Sequence, residues 1–248
     1  MADPSKNFGE AADRYSAYRP QYPPEVFDFL IAHVTSGRSR AADLGAGSGQ
    51  ATQTLARLFD QVTAIEPDAR LAQAAQLPAN AEIAVASAEE AAFSEASLDA
   101  AISATAFHWM DQNLICRNAA RWLKSGGAFF PFAFDAFEVP GPVGDFYASE
   151  FKKWAAYRDR RLVECYNYRK ALEESGVFAS VVPYRQVLNH RLPSEMAAGL
   201  ISTFSFARDY ARDNGGDDYF VSVKSALTGF GETVTFTVPV IGALGIKG

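Results

Sequence analysis

The chain has 248 residues, 48% of them hydrophobic and 21% charged, a composition typical of a soluble globular enzyme. Its net charge is −6, and the acidic excess lies entirely in residues 1–135, which argues against a nucleic-acid-binding surface. No apolar run approaches the roughly 18 residues that a membrane span requires, and the polar start lacks the apolar core of an export signal. The two cysteines are widely separated and lack metal-ligand spacing, so we expect neither a metal site nor a disulfide. Together these features predict a cytoplasmic protein without a membrane partner.

The first 24 residues form an arm that is dense in aromatic and turn residues. The spacing of its apolar residues predicts a short helix, which Pro20 should end because the residue before a proline avoids the α region. The arm either packs on the domain edge or closes as a lid over a ligand cleft. As a lid it would supply Tyr15, Tyr18, Arg19 and Tyr22 to the site.

The most informative stretch follows a predicted helix over 24–34 and a short apolar strand over 41–44. It carries three alternating glycines, Gly45, Gly47 and Gly49, before a predicted helix over 51–59. Glycine tolerates positive φ and has no Cβ, so a ligand can lie against bare amides at a helix N-terminus. The pattern therefore predicts either the first turn of a nucleotide-binding βαβ unit or only a tight turn. Asp43, at the strand end, would bind the ligand or pin the loop.

A carboxylate ends the second predicted strand, which covers 62–65. Glu66 lies 17 positions after Gly49, close to the spacing of about 20 at which an acid binds a ribose hydroxyl. The third strand, over 82–85, runs into a turn of small residues that includes Ala88 and Glu89. A flat adenine ring would fit against this turn, so the pattern favours a nucleoside ligand.

The fourth predicted strand, over 99–104, leads directly into His108 and Trp109. In doubly wound sheets, ligands bind and react at the carboxyl ends of the strands, so His108 is a candidate catalytic base. The alternative is that His108 is a packed, hydrogen-bonded side chain without a catalytic role. Trp109 is better suited to a pocket wall than to a reactant.

Strands and helices alternate from residue 41 to residue 134, which is typical of a parallel sheet. The next predicted elements are a helix over 113–123, ended by Ser125-Gly126-Gly127, and a fifth strand over 128–134. Beyond it, residues 136–174 form a predicted cap insertion with one long helix over 145–174. Later elements are predicted as a strand over 177–188, helices over 193–206 and 217–227, and a last, antiparallel strand over 233–244.

The densest basic cluster lies in this cap. It would attract an anionic substrate or simply form the solvated face of a helix. Its members are Lys152, Lys153, Arg158, Arg160 and Arg161.

These motifs together resemble the trans-aconitate methyltransferase-like branch of the class I S-adenosylmethionine-dependent methyltransferases. They are the arm F-x6-Y-x2-Y-R-P-x-Y-P, the loop D-L-G-A-G-S-G-Q, the strand end A-I-E-P, the turn S-A-E-E, and A-F-H-W-M-D. The late segment ending in S-T-F-S-F resembles that branch as well, so the likeness covers most of the chain. The cap matches least well.

The resemblance implies a single α/β domain over 1–248: a doubly wound, mostly parallel seven-stranded sheet with its last strand antiparallel, helices on both faces and a small helical cap. S-adenosylmethionine would be the methyl donor. The implied cofactor contacts are Arg19, Asp43, Gly45, Gly47, Gly49, Gln50, Glu66, Pro67, Ala88, Glu89 and Ala104. Tyr15, Tyr18, Arg19, Tyr22 and Trp109 would bind the acceptor. We expect a monomer or a homodimer.

The expected reaction is O-methylation of an organic acid or a secondary metabolite. A carboxylate acceptor is already a nucleophile, whereas a hydroxyl or amine must lose a proton, for which His108 would be the base. The alternatives are N- or C-methylation of a small molecule, a nucleoside-binding protein without transfer activity, and a nicotinamide enzyme. The absence of G-x-G-x-x-G argues against the last of these.

Overall fold

The computed structural model describes Tyr18 and residues 21–248, which contain a seven-stranded sheet flanked by helices. The strands are β1 (Arg40–Leu44), β2 (Gln61–Glu66), β3 (Ala81–Val85), β4 (Leu98–Ala104), β5 (Leu123–Phe134), β6 (Ser180–Pro193) and β7 (Thr233–Ile246). The helices are α1 (Pro24–His33), α2 (Gln50–Leu55), α3 (Ala69–Ala74), α4 (Gln112–Trp122), α5 (Gly141–Trp154), α6 (Arg161–Glu164), α7 (Tyr168–Ser175), α8 (Ser194–Ile201), α9 (Ser205–Asp213) and α10 (Asp217–Gly229). Two 3-10 turns cover Phe107–Trp109 and Ala155–Tyr157.

The sheet has the strand order β3-β2-β1-β4-β5-β7-β6. Strands β1 to β5 pair in parallel, whereas β7 runs antiparallel to both of its neighbours. The predicted fold class, a mostly parallel seven-stranded sheet with its last strand antiparallel, is therefore confirmed. The order reverses beside β1, and in such sheets a ligand crevice lies outside the carboxyl ends of the strands at this point.

Alternation along the strands divides the core between the two faces of the sheet. In β5, Phe130 and Phe132 face the side covered by α1, α2, α8 and α10, whereas Phe129 and Ala133 face α4 and α7. All four side chains are fully buried. A strand buried on both faces reads as a continuous apolar run, which is why this strand was predictable from sequence.

The long helix predicted over 145–174 is wrong: the segment divides into α5, a 3-10 turn, α6 and α7. Polar side chains mark both new helix starts inside it. Asn167 is the N-cap of α7 and accepts the backbone N–H of Lys170 at 3.1 Å, and the carboxylate of Asp159, two residues before α6, accepts the backbone N–H of Arg161 at 2.9 Å. Such caps satisfy N–H groups that have no partner within the new helix, so they mark its start.

The helix predicted over 193–206 is also divided, into α8 and α9. The hydroxyls of Ser202 and Thr203 donate to the backbone carbonyls of Gly199 and Leu200, both at 2.6 Å, and so compete with helix hydrogen bonds.

Another correction concerns Gly126, predicted as part of a helix stop. It lies within β5, where its N–H donates to the carbonyl of Lys247 at 2.9 Å. Helix α3, between β2 and β3, was not predicted.

Candidate functional site

The glycine loop connects β1 to α2 with three residues at positive φ: Gly45 at 73°, Gly47 at 59° and Gly49 at 83°. A Cβ at Gly45 would lie 2.5 Å from the Cβ of Ala106, and one at Gly49 would lie 2.6 Å from a methyl of Leu77. At Gly47 a Cβ would meet nothing within 4 Å. Protein therefore packs against two of the glycines, while the middle one faces open space that a ligand can enter.

Glu66 ends β2 and holds the glycine loop. Its two carboxylate oxygens accept the backbone N–H groups of Gly47 at 2.8 Å and of Asp68 at 2.9 Å. Burial raises the pKa of this carboxyl, and the hydrogen bonds from Asp68 and Gly47 oppose the rise. The carboxylate has further lone pairs, so it can also accept hydrogen bonds from a ligand's hydroxyls.

Asp43 is fully buried beneath the loop at the end of β1. Its Oδ2 accepts the Thr52 hydroxyl at 2.7 Å, and its Oδ1 has no hydrogen-bond partner among the described residues. Burial raises its pKa to about 7; the Thr52 bond opposes this rise, and the charge of Glu66 adds to it. Asp43 thus contacts the first turn of α2 and pins the loop from below.

A first cavity of about 390 Å³ opens above the carboxyl ends of β1, β2 and β4. Eight of the predicted cofactor contacts line it: Gly45, Gly47, Gln50, Glu66, Pro67, Ala88, Glu89 and Ala104. Asp43 and Gly49 are not among its lining residues, and Arg19 lies outside the described residues. Ser48, Thr105 and Met110 line it too and were not predicted; no sequence signal identified them.

A second cavity of about 360 Å³ adjoins the first. Thr105 and Trp109 line both, so these two side chains form the wall between them. Thr105 has a φ of 55°, rare for a β-branched residue. Its N–H donates to the carbonyl of Phe132 at 2.7 Å, and its hydroxyl lies 2.6 Å from that of Tyr22. These contacts fix the wall.

His108 lines the second cavity and is 1% exposed. Its Nδ1 is hydrogen-bonded to the phenol of Tyr168 at 2.8 Å, and its ring lies 4.7 Å from that of Tyr166. Burial raises the pKa of Tyr168 well above its usual value, so this phenol is neutral. A neutral phenol that donates its proton to Nδ1 leaves the proton of a neutral imidazole on Nε2. In that state His108 is a hydrogen-bond donor.

The remaining predicted acceptor contacts are only partly brought together. Tyr22 and Trp109 line the first cavity. The ring of Tyr18 packs against Gly199 of α8, and Tyr18 is absent from the described linings of both cavities. Tyr15 and Arg19 lie outside the described residues. The predicted roles of all these residues stay predictions.

The fold and site define a class of protein before any comparison. A glycine turn at positive φ, a carboxylate at the end of the next strand and a cavity across the strand ends together define a nucleoside-binding, doubly wound α/β protein.

Two further observations concern the described part of the chain. It contains no group of three or more His, Cys, Asp or Glu side chains placed to hold a metal ion, and none of its helices is long and apolar enough to cross a membrane.

Comparison with known proteins narrows this class. Residues 42–130 match the family described as "Methyltransferase domain". The chain is 35% identical over 127 residues to an uncharacterized methyltransferase of Mycobacterium tuberculosis, covering 50% of this chain and 51% of the relative. It is 33% identical over 136 residues to the ubiquinone biosynthesis O-methyltransferase of Xanthomonas oryzae, covering 50% and 57%. The match thus spans about half the length of these curated relatives.

Solved structures agree with this assignment over more of the chain. A protein described as a "Putative Type II Methyltransferase" from Anaeromyxobacter dehalogenans superimposes with a TM-score of 0.75 at 26% identity, covering 93% of this chain and 98% of that one. The segment 42–130 is therefore an S-adenosylmethionine-dependent methyltransferase domain. The predicted enzyme class and cofactor are confirmed for this domain.

The lining of the first cavity fits that cofactor. Ser48, in the glycine loop, has a buried hydroxyl without a hydrogen-bond partner among the described residues, and a ligand in the cavity would supply one. The open space at Gly47 and the lone pairs of Glu66 offer further contacts. The small side chain of Ala88 leaves room for a flat ring beside Glu89.

Proposed function

We propose that this chain transfers a methyl group from S-adenosylmethionine to a small molecule held in the second cavity. The observation that carries the proposal is the wall that both cavities share at Thr105 and Trp109. Because the two cavities adjoin at these side chains, a donor in the first cavity and an acceptor in the second would meet beside them. In-line displacement depends mainly on such positioning.

Within this function, we propose O-methylation of an organic acid or a secondary metabolite. The support is the resemblance of the glycine loop, the A-I-E-P strand end and the F-H-W-M-D turn to the trans-aconitate methyltransferase-like branch. The X. oryzae relative is also named as an O-methyltransferase. S-adenosylmethionine, when bound, supplies an electrophilic methyl group. The residues of this chain bind and orient both partners.

The roles of individual residues follow from the contacts described above. Glu66 would bind the ribose hydroxyls, and Gly47 and Ser48 would contact the methionine part. Ala88 and Glu89 would contact the adenine. The residue range 1–248 would act as one domain, in which the arm over 1–24 closes the site and the cap over 136–174 selects the acceptor. Support for the cap's role is that Tyr147, Phe151 and Arg158 line the second cavity.

Calorimetric titration with S-adenosylmethionine, S-adenosylhomocysteine and NAD tests the cofactor assignment. We expect dissociation constants in the micromolar range, about −8 kcal/mol, for the two sulfur ligands and no binding of NAD. No heat with either sulfur ligand, from protein that unfolds cooperatively on heating, would overturn the proposed function.

Replacing His108 by alanine tests which kind of acceptor reacts. With a carboxylate acceptor, which requires no base, we expect KM to rise by about tenfold while kcat changes less than about threefold. The reason is that the variant loses the imidazole, which lines the second cavity and can hydrogen-bond the acceptor. The measurement is a pH-rate profile of wild type and variant with each acceptor.

His33→Ala is the matched control, since His33 lies on α1 and bonds the carbonyl of Phe29. It should leave both constants unchanged. A fall in kcat of about 10²-fold in His108→Ala, with loss of one limb of the pH profile, would identify His108 as a base and the acceptor as a hydroxyl or amine.

A further inference from the structure

Arg158 differs from the other cations of the basic cluster. Lys153 pairs with Glu150 at 2.5 Å, Arg160 with Glu164 at 3.0 Å, and Arg161 with Asp159 at 3.0 Å. Arg158 has no such carboxylate partner among the described residues, and neither does the exposed Lys152. What sets Arg158 apart is its place: of the five cations in the cluster, it is the one that lines the second cavity.

The guanidinium of Arg158 lies against two aromatic rings that also contact each other, with their centres 5.9 Å apart. Its central carbon lies 5.1 Å from the ring centre of Phe151 and 5.9 Å from that of Phe206. Its Nε is buried without a hydrogen-bond partner in the described part of the chain, and one terminal nitrogen reaches the carbonyl of Leu162 only at 3.5 Å. A guanidinium has five N–H donors, so most of its hydrogen-bonding capacity is available to a ligand.

An anion is the ligand that this arrangement suits. Arginine binds carboxylates through two parallel hydrogen bonds, and the attraction is stronger where rings exclude water than at an open surface. A bound carboxylate would also satisfy the buried Nε, whose lack of a partner is otherwise costly.

The rest of the second cavity limits the acceptor to one negative charge. Its other walls are largely aromatic, including Phe134, Phe137, Phe151 and Phe204. Asp135 also lines the cavity, and its carboxylate would repel a second anionic group. The repulsion is only weakly offset, because the ion pair of Asp135 with Arg185 spans 4.0 Å at an exposed position.

Apolar space continues beyond this cavity. A third, smaller cavity of about 30 Å³ shares Phe137 and Tyr147 with the second and is otherwise lined by aliphatic side chains and Phe236. An acceptor that extends past these two rings would therefore meet only apolar or aromatic neighbours.

We propose that Arg158 is the specificity-determining residue of the second cavity, and that the acceptor is a monocarboxylate with an apolar or aromatic body. The proposal rests on the proposed function, because it assigns the second cavity to the acceptor. It excludes compact polycarboxylates such as aconitate, which would place at least two charges against rings or beside Asp135.

The test measures binding instead of turnover, so that the result does not depend on which atom is methylated. Protein saturated with S-adenosylhomocysteine is titrated with cinnamate, with the uncharged cinnamamide and with trans-aconitate. We expect cinnamate to bind at least tenfold more tightly than either of the others. In Arg158→Gln the advantage of cinnamate over cinnamamide should disappear, while the affinity for S-adenosylhomocysteine stays unchanged.

Arg160→Gln is the matched control, because Arg160 is exposed and pairs with Glu164 one turn away; it should retain the full preference for cinnamate. Equal binding of cinnamate and cinnamamide to the wild type would overturn the proposal. So would tighter binding of aconitate, no binding of cinnamate, or a preference that persists in Arg158→Gln. Failure of the proposed function is distinguishable, since it would appear earlier as failure of S-adenosylhomocysteine to bind.

Discussion

Replacement of Glu66 by alanine should weaken binding of S-adenosylhomocysteine by roughly 10³-fold, since hydrogen bonds to a charged group are worth about 1.5–3 kcal/mol each. The substitution removes the proposed contacts to the ribose. It also releases the N–H groups of Gly47 and Asp68, which the carboxylate holds at 2.8 and 2.9 Å. The glycine loop would then have to be ordered by the ligand itself. Calorimetric titration of wild type and variant measures the effect.

Glu82→Ala is the matched control for this experiment. Glu82 is an exposed carboxylate on the neighbouring strand β3, where it accepts the Thr63 hydroxyl at 3.2 Å, outside both cavities. It should bind the ligand as the wild type does. If Glu66→Ala retains an affinity within about threefold of wild type, Glu66 does not recognise the ribose.

Replacing Asp43 by asparagine should stabilise the ligand-free protein at pH 8 by roughly 2–4 kcal/mol, because a shift of one pKa unit corresponds to 1.36 kcal/mol. Burial raises the pKa of Asp43 from 3.8 to about 7. Between these two pH values the folded state binds more protons than the unfolded state, so the contribution of Asp43 to stability falls as the pH rises. Above about pH 7 the folded protein carries the full cost of a buried charge. Asparagine, which is neutral, removes that cost.

Urea unfolding at pH 5 and pH 8 measures this prediction. The stability difference between Asp43→Asn and wild type should be less than half as large at pH 5 as at pH 8. Asp60→Asn, at an exposed position after α2, should show no such widening. A constant difference at the two pH values would mean that Asp43 is ionised throughout in the folded protein.

Asp99 shows why burial alone does not determine this behaviour. It is as fully buried as Asp43, but it accepts the Lys124 ammonium at 2.9 Å, the Ser39 hydroxyl at 2.6 Å and the Arg40 N–H at 2.9 Å. Burial raises its pKa, but these donors outweigh that effect and lower the pKa to about 2. Asp43 has one such donor and a neighbouring carboxylate. Its partners, together with its burial, therefore determine whether a buried aspartate titrates near neutral pH.

Much of the sheet was predictable because its strands are short apolar runs between turn signals. The predicted strands over 41–44 and 99–104 each lack only the first residue of the observed β1 and β4. The extension of β5 was not predictable, because Gly126 joins the strand through Lys247, more than 100 residues away in sequence. Local turn signals at Gly126 favoured a helix stop, and a long-range pairing overrode them.

In the cap, the spacing of apolar residues and the capping residues predict different helix boundaries. The apolar spacing of Tyr147, Phe151 and Trp154 favours one continuous helix, and this period is correct for α5. Asn167 then caps the start of α7, and Asp159 accepts a backbone N–H at the start of α6. For the helix boundaries in the cap, the capping residues were therefore a better guide than the spacing of the apolar residues.

The two cavities were unequally predictable for a geometric reason. The first is built from loops that directly follow β1, β2 and β4, so the order of strands along the chain brings their ends together. The second is assembled from β5, the cap and α9, and the position of Arg158 against Phe151 and Phe206 depends on how these elements pack. Sequence spacing contains no information on that packing.

The wall residue Thr105 has a consequence for how the site responds to its ligands. A non-glycine residue held at a φ of 55° costs of order 1–3 kcal/mol, and it persists only where its surroundings fix it. The carbonyl of Phe132 and the hydroxyl of Tyr22 do so here. This cost is met when the chain folds and not when ligands bind. The boundary between the two cavities is thus preorganised, and Tyr22, just before α1, connects the start of the described chain to it.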